Sequence, residues 1–229
     1  MFPRVPLHRP LGKGAICMEG LRVLRAFTIV ELLVALAIVA VLAGLALAAL
    51  PSIQQRAERA DALAKIRTMG SAVLRYPADH AGRLPPLWPG QVLEFQEGRG
   101  KRIVTECADY LGLSGAEGTF LVETLMPRAY ARAMKDPAQM RVYVMNASIP
   151  NGTDDPLEPF GAVGNNDSLT LAALAGITGT WMMQNADQQQ PNVAAAPWKA
   201  NAPPEPPLGD VRAVFRFDGS AGLIKIDEP

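Results

Sequence analysis

The chain is short of the side chains that carry most enzymatic chemistry. It has two histidines, His8 and His80, and two cysteines, Cys17 and Cys107. It contains no G-x-S-x-G elbow, no P-loop and no H-E-x-x-H helix. A catalytic triad or a metal centre built from histidine and cysteine has little raw material, and the sequence reads as that of a non-enzyme. Net charge is missing as well, because 22 basic residues are balanced by 22 acidic ones. With no basic excess to neutralise phosphates, a nucleic-acid partner is not expected.

What the chain does have is one long apolar run, FTIVELLVALAIVAVLAGLALAAL, at residues 27–50. As a helix these 24 residues reach about 36 Å, enough to cross a hydrocarbon layer of roughly 30 Å. Its single charge is Glu31, near the start. A carboxylate in such a segment costs about 2.5–3.5 kcal/mol, so it needs a partner supplied by assembly or a reason to be there. Arg4, Arg9, Lys13, Arg22 and Arg25 precede the run against one acid, Glu19. That bias holds the N-terminal side in the cytoplasm and sends the rest outward. A secretory signal ending at Ala46-Leu47-Ala48 fits less well, since its apolar stretch spans only about 7–15 residues. A plain single-pass anchor fits the length and leaves Glu31 without a role.

Leu24-Arg25-Ala26 followed by Phe27-Thr28-Ile29-Val30-Glu31 resembles the cleavage and methylation signal of type IV prepilins and type II secretion pseudopilins. Ala26 stands where that family usually has Gly. The resemblance implies a leader over 1–26, with Met18 as an alternative start, and a transmembrane and assembly helix over 27–50. A head over 51–229 follows on the outer side. It implies cleavage by a prepilin peptidase between Ala26 and Phe27 and methylation of the Phe27 amine. Cys17 leaves with the leader, and Cys107 then has no disulfide partner. Glu31 meets the Phe27 amine of a neighbouring subunit, which sets the register between helices more than it adds stability. Gly44 and Pro51 match the places where such helices kink. The implied partners are other pilin-like subunits, an inner-membrane secretion or pilus assembly platform, and the lipid bilayer. The implied location is the bacterial inner membrane, single-pass with the N-terminus cytoplasmic, and then a fibre in the envelope or on the cell surface.

Beyond Pro51, apolar residues from Ile53 to Val73 recur at helical spacing, so one helix is expected from about Phe27 to Tyr76. Pro and Gly end it within 76–90. Tyr76, Asp79, Gly82 and Pro85 resemble the helix-exit motif of major pseudopilins. Twenty prolines and twenty glycines indicate a loop-rich head. Ile103, Val104, Cys107, Tyr110 and Leu111 line one face of a weak helix closed by Gly112, and residues 119–134 hold a second short helix. Strands are expected at 140–147 and 177–184, with loops at 148–170 and 185–209. Val211 to Phe217, a turn at Asp218-Gly219 and a return from Leu223 make a C-terminal hairpin over 211–227. It resembles the closing motif of a bacterial pseudopilin-like group, with Leu208 and Ser220 where that motif carries histidines.

The expected fold is α+β, a long N-terminal helix packed on an antiparallel β-sheet. No cofactor is expected. Calcium is considered only at Asp154, Asp155 and Asp167, hard oxygen donors in a polar loop whose spacing matches no EF-hand. His80 has no His or Cys at ligand spacing. The competing functional reading is a monomeric, membrane-anchored binding protein whose 87–205 region recognises a ligand.

Overall fold

A computed structural model describes residues 28–133, 136, 139–161, 167–177 and 179–226. The chain divides into two compact units, residues 1–48 and 49–229. The first unit, where described, is helical. Helix α1 (Ile29–Arg75) begins in it and continues into the second. Its apolar side chains, from Ile29 at 79% exposure to Leu50 at 48%, are turned to the surroundings on every side. The helix stays α-helical at Gly44 and Pro51. Pro51 has no N–H to give the preceding turn, and the Ser52 hydroxyl donates to the Ala49 carbonyl at 2.9 Å.

In the second unit α1 becomes one-sided. Ala62, Ile66, Met69, Gly70 and Val73 are buried, at the spacing of one helix face. The helix ends in a 3₁₀ turn, Tyr76–Ala78, whose Pro77 suits the first positions of such a turn.

Five antiparallel strands form the main sheet: β1 (Gly90–Gln91), β4 (Tyr143–Met145), β5 (Trp181–Asn185), β6 (Val211–Arg216) and β7 (Ala221–Lys225), in that spatial order. Register is carried by pairs such as Gly90 with Val144, Tyr143 with Asn185, Met183 with Phe215, and Ala213 with Leu223. Phe215, Ala213, Tyr143 and Met145 share a core with Ile66, Met69 and Val73 of α1. The long helix therefore packs on one sheet face. The sequence pattern places Val211, Ala213, Phe215 and Phe217 on that apolar face. The other face is covered too, since Arg212 and Val214 are buried. There Val144 packs with Ala186, Val193 and Ala202, and Trp198 lies against them.

In three places the structure adds to or departs from the expected elements. Residues 119–134 hold the expected short helix, α3 (Arg128–Ala133), and before it strand β3 (Thr119–Leu121), paired with β2 (Glu94–Gln96), and a 3₁₀ turn at Glu123–Leu125. The Phe95 and Phe120 rings stack at 5.0 Å across that strand pair, a cross-strand gain invisible to local periodicity. The strand expected from Ile177 starts at Trp181, because Leu171–Ile177 is a 3₁₀ segment. The 185–209 connection holds a short helix, α4 (Pro191–Ala194), and a 3₁₀ turn at Lys199–Asn201. Helix α2 (Ile103–Glu106) buries Ile103 and Val104 as the pattern implies, and Cys107 beside it is buried and free.

Candidate assembly segment and head cleft

The start of α1 is a capping box. Thr28 precedes the first helical residue, and its hydroxyl accepts the Glu31 N–H at 3.2 Å. Glu31 returns the favour, its Oε2 accepting the Thr28 N–H at 3.0 Å and the Thr28 hydroxyl at 2.9 Å. This reciprocal pairing satisfies backbone donors that every helix start leaves open. The signal was present in the sequence as Thr-x-x-Glu. Glu31 thus has a polar partner within its own chain, and its charge sits at the favourable end of the helix dipole. Ala26 and Phe27, the expected cleavage and methylation residues, lie outside the described residues. Among the described residues, one helix near the N-terminus is long and apolar enough to cross a membrane.

At the far end of α1 the exit turn is tied down by polar and ring contacts. The Tyr76 and His80 rings stack at 3.5 Å, and His80 Nδ1 lies 2.9 Å from the Tyr76 carbonyl. The Tyr110 hydroxyl donates to Asp79 Oδ2 at 2.6 Å. That carboxylate acceptor pushes the Tyr110 hydroxyl up to about 12. Gly82 donates its N–H to the Pro77 carbonyl at 2.8 Å. His80 is accounted for by this turn.

The described part of the polar loop is organised by short-range hydrogen bonds. Thr153 donates its N–H and hydroxyl to Asn151 Oδ1 at 3.0 and 2.6 Å, and its hydroxyl also reaches the Asp155 carbonyl. Among the described residues no three His, Cys, Asp or Glu side chains converge as a metal would require. Asp154, Asp155 and Asp167 are not brought together.

No local pattern in the sequence points to a concavity in the head, yet the structure has one. A cleft of about 610 Å³ opens between the Trp88-Pro89-Gly90 segment, the end of β4 at Met145, and the Pro191–Trp198 stretch. Its walls carry two tryptophans, Trp88 and Trp198, and two arginines, Arg99 and Arg141. Arg99 stands 5.7 Å from the Trp88 ring centre and Arg141 stands 5.9 Å from that of Trp198, within reach of cation–π attraction. Gly90 is required here, because a Cβ would fall 2.7 Å from the Trp198 ring. The backbone N–H of Arg141 is bonded to the Asn201 carbonyl, and its Nη1 donates to the Gly90 carbonyl at 3.0 Å. Burial, with Arg102 and Arg99 nearby, lowers the Arg141 guanidinium below its ordinary value.

One wall of this cleft is anchored by a buried ion pair. Arg212 of β6 holds Asp187 with both arms, Nε to Oδ2 at 2.6 Å and Nη2 to Oδ1 at 2.9 Å. Asp187 Oδ1 also accepts the N–H groups of Gln189 and Gln190. Gln190 in turn caps α4, its Oε1 accepting the Val193 N–H at 2.9 Å. A buried carboxylate of this kind is tolerated only when its acceptor sites are filled. The result is a fixed start for the stretch that ends in Trp198. No family model, no curated protein and no solved structure matches the chain.

Proposed function

We propose that the chain is a pilin-like subunit of a type II secretion pseudopilus or a type IV pilus-like fibre. The observation that carries this reading is Glu31. It is the one charge in the apolar stretch 27–50, whose described side chains are exposed on every side, and it lies four residues after Phe27. Cleavage by a prepilin peptidase between Ala26 and Phe27 frees an amine that is positive near neutral pH. In a bundle of such helices that amine reaches Glu31 of the next subunit, and each desolvated charge gains a partner. Methylation of the amine keeps its charge. Alanines along the segment, among them Ala35, Ala43 and Ala46, let neighbouring helices approach closely.

The α+β head with its one-sided helix on an antiparallel sheet supports the same pilin-like reading. The subunit is inserted with its basic N-terminus cytoplasmic and its head outside, handed to an inner-membrane assembly platform, and polymerised with its like. Its role is mechanical, as part of a growing fibre.

Mass spectrometry of the protein made in its native host tests the proposal. Methyl-Phe27 at the mature N-terminus is expected. An intact basic leader on a chain that stays monomeric sinks it. That outcome leaves the membrane-anchored binding protein, a reading that the head cleft favours.

A further inference from the structure

We infer that the Trp88–Trp198 cleft is a binding site for a small organic anion with a flat apolar body, such as an aromatic carboxylate. Its volume of about 610 Å³ falls in the range of roughly 300–1,000 Å³ typical of small-molecule sites. The walls supply what such a molecule needs. Indole rings, Met145 and prolines offer an apolar bed, and two guanidinium groups supply the few polar contacts.

The arginines make the case for an anion. Arg59, Arg102, Arg132 and Arg212 each meet a carboxylate, of Asp210, Glu94, Glu58 and Asp187 respectively. Arg99 and Arg141 meet none among the described residues, a state they share with Arg56, Arg67, Arg75, Arg83, Arg128 and Arg216, but of these only Arg99 and Arg141 line one cleft together. Arg99 has only the Gln96 side-chain amide oxygen at 3.2 Å, and Arg141 only the Gly90 carbonyl. The Nε of Arg141 is buried without a hydrogen-bond partner, a costly state for a charged donor. Among the described residues no acidic side chain lines the cleft. Glu158 lines a smaller adjoining cavity of about 120 Å³ instead. Two unpaired cations facing one apolar space fit a single planar carboxylate, which accepts hydrogen bonds from guanidinium groups in matched geometry.

The geometry also argues against an added β-strand as the occupant. The Gly90 carbonyl of edge strand β1 is already taken by Arg141 Nη1, so that side of the strand is partly closed. The wall bearing Trp198 is held by the Asp187–Arg212 pair, so the site is formed before a ligand arrives.

The test uses the full chain in detergent micelles, titrated by calorimetry with 2-naphthoate and with the neutral 2-naphthamide, subtracting injections into empty micelles. The acid should bind about tenfold more tightly than the amide, as a charge-assisted pair implies. The double variant Arg99→Gln, Arg141→Gln should lose that preference while it still unfolds in one cooperative thermal transition. Should the double variant misfold, Arg99→Gln alone should weaken the acid about threefold and leave the amide alone. Absence of naphthoate binding, equal binding of acid and amide, or a preference that survives in a folded variant would overturn the inference. None of these outcomes touches the fibre proposal, which depends on Phe27 and Glu31.

Discussion

Gly70 lies so close to the ring of Phe215 that a Cβ built on it would stand 2.3 Å from Cδ1 and 2.4 Å from Cγ. This is where α1 is pressed onto β6, and it sets how near the helix can come to the sheet. Gly70→Ala adds a methyl where there is no room, at a cost of roughly 1–3 kcal/mol. The better helix propensity of alanine returns at most about 1 kcal/mol. Net destabilisation is expected in urea unfolding of the full chain, and Phe215→Leu in the same background should recover part of it. An unchanged midpoint would show that the helix simply shifts outward.

The buried pair behaves as a unit. Asp187 accepts both Arg212 arms and two backbone N–H groups. Arg212→Ala leaves that carboxylate buried and uncompensated, with an expected loss of about 3–5 kcal/mol. Replacing both residues by apolar ones, Asp187→Leu with Arg212→Met, should cost less than the sum of the single changes. A thermodynamic cycle with no coupling between them would remove the ion pair as an anchor of the cleft wall.

All four tyrosines hold their protons more tightly than in the unfolded chain. Burial raises Tyr76, Tyr130 and Tyr143, and the Asp79 acceptor pushes Tyr110 up to about 12. The unfolded chain loses these protons near the ordinary value of about 10, while the folded chain keeps them. Their contribution to stability is therefore complete below about pH 10 and shrinks as the pH rises toward the folded values. Absorbance at 295 nm should show little tyrosinate until alkaline unfolding begins. Asp79→Asn should bring one tyrosine down into the ordinary range, and a titration identical to the parent would refute the Tyr110–Asp79 bond.

The Cys107 thiol is pushed well above its ordinary value by burial first and by the Glu106 charge second. Thiolate is the reactive form, so iodoacetamide at pH 8 should leave Cys107 unmodified in the folded protein. Peptide mapping should find it alkylated after denaturation. Rapid labelling without denaturant would mean that the region around α2 opens readily.

At the start of α1 two substitutions separate capping from assembly. Thr28→Val removes the capping hydroxyl and should fray the first turn at a cost of about 0.5–2 kcal/mol, while fibres still form. Glu31→Leu should insert in the membrane at least as well as the parent and fail to assemble. If Thr28→Val also abolishes assembly, the carboxylate acts through its cap and not through a neighbouring amine.

Much of the frame could be read from local pattern. An unbroken apolar run followed by helical periodicity delimits α1, and an alternating segment with Asp218-Gly219 delimits the β6–β7 hairpin. Such signals survive because each rests on neighbours within a turn or a few residues. The short helix within 119–134 was legible in the same way, but strand β3 ahead of it was not, because its partner β2 lies far back in the chain.

The amino-acid order alone thus settled the long apolar helix, the odd carboxylate near its start, and a C-terminal hairpin. Folding in three dimensions decided the rest. It brought Gly70 to Phe215, joined Asp187 to Arg212, and set Trp88 and Trp198 on one cleft with two arginines that have no acid of their own. Those juxtapositions join residues from 25 positions apart, as in the Arg212–Asp187 pair, to much larger separations. No short-range periodicity encodes them, because they depend on which sheet face each strand presents and on what covers it.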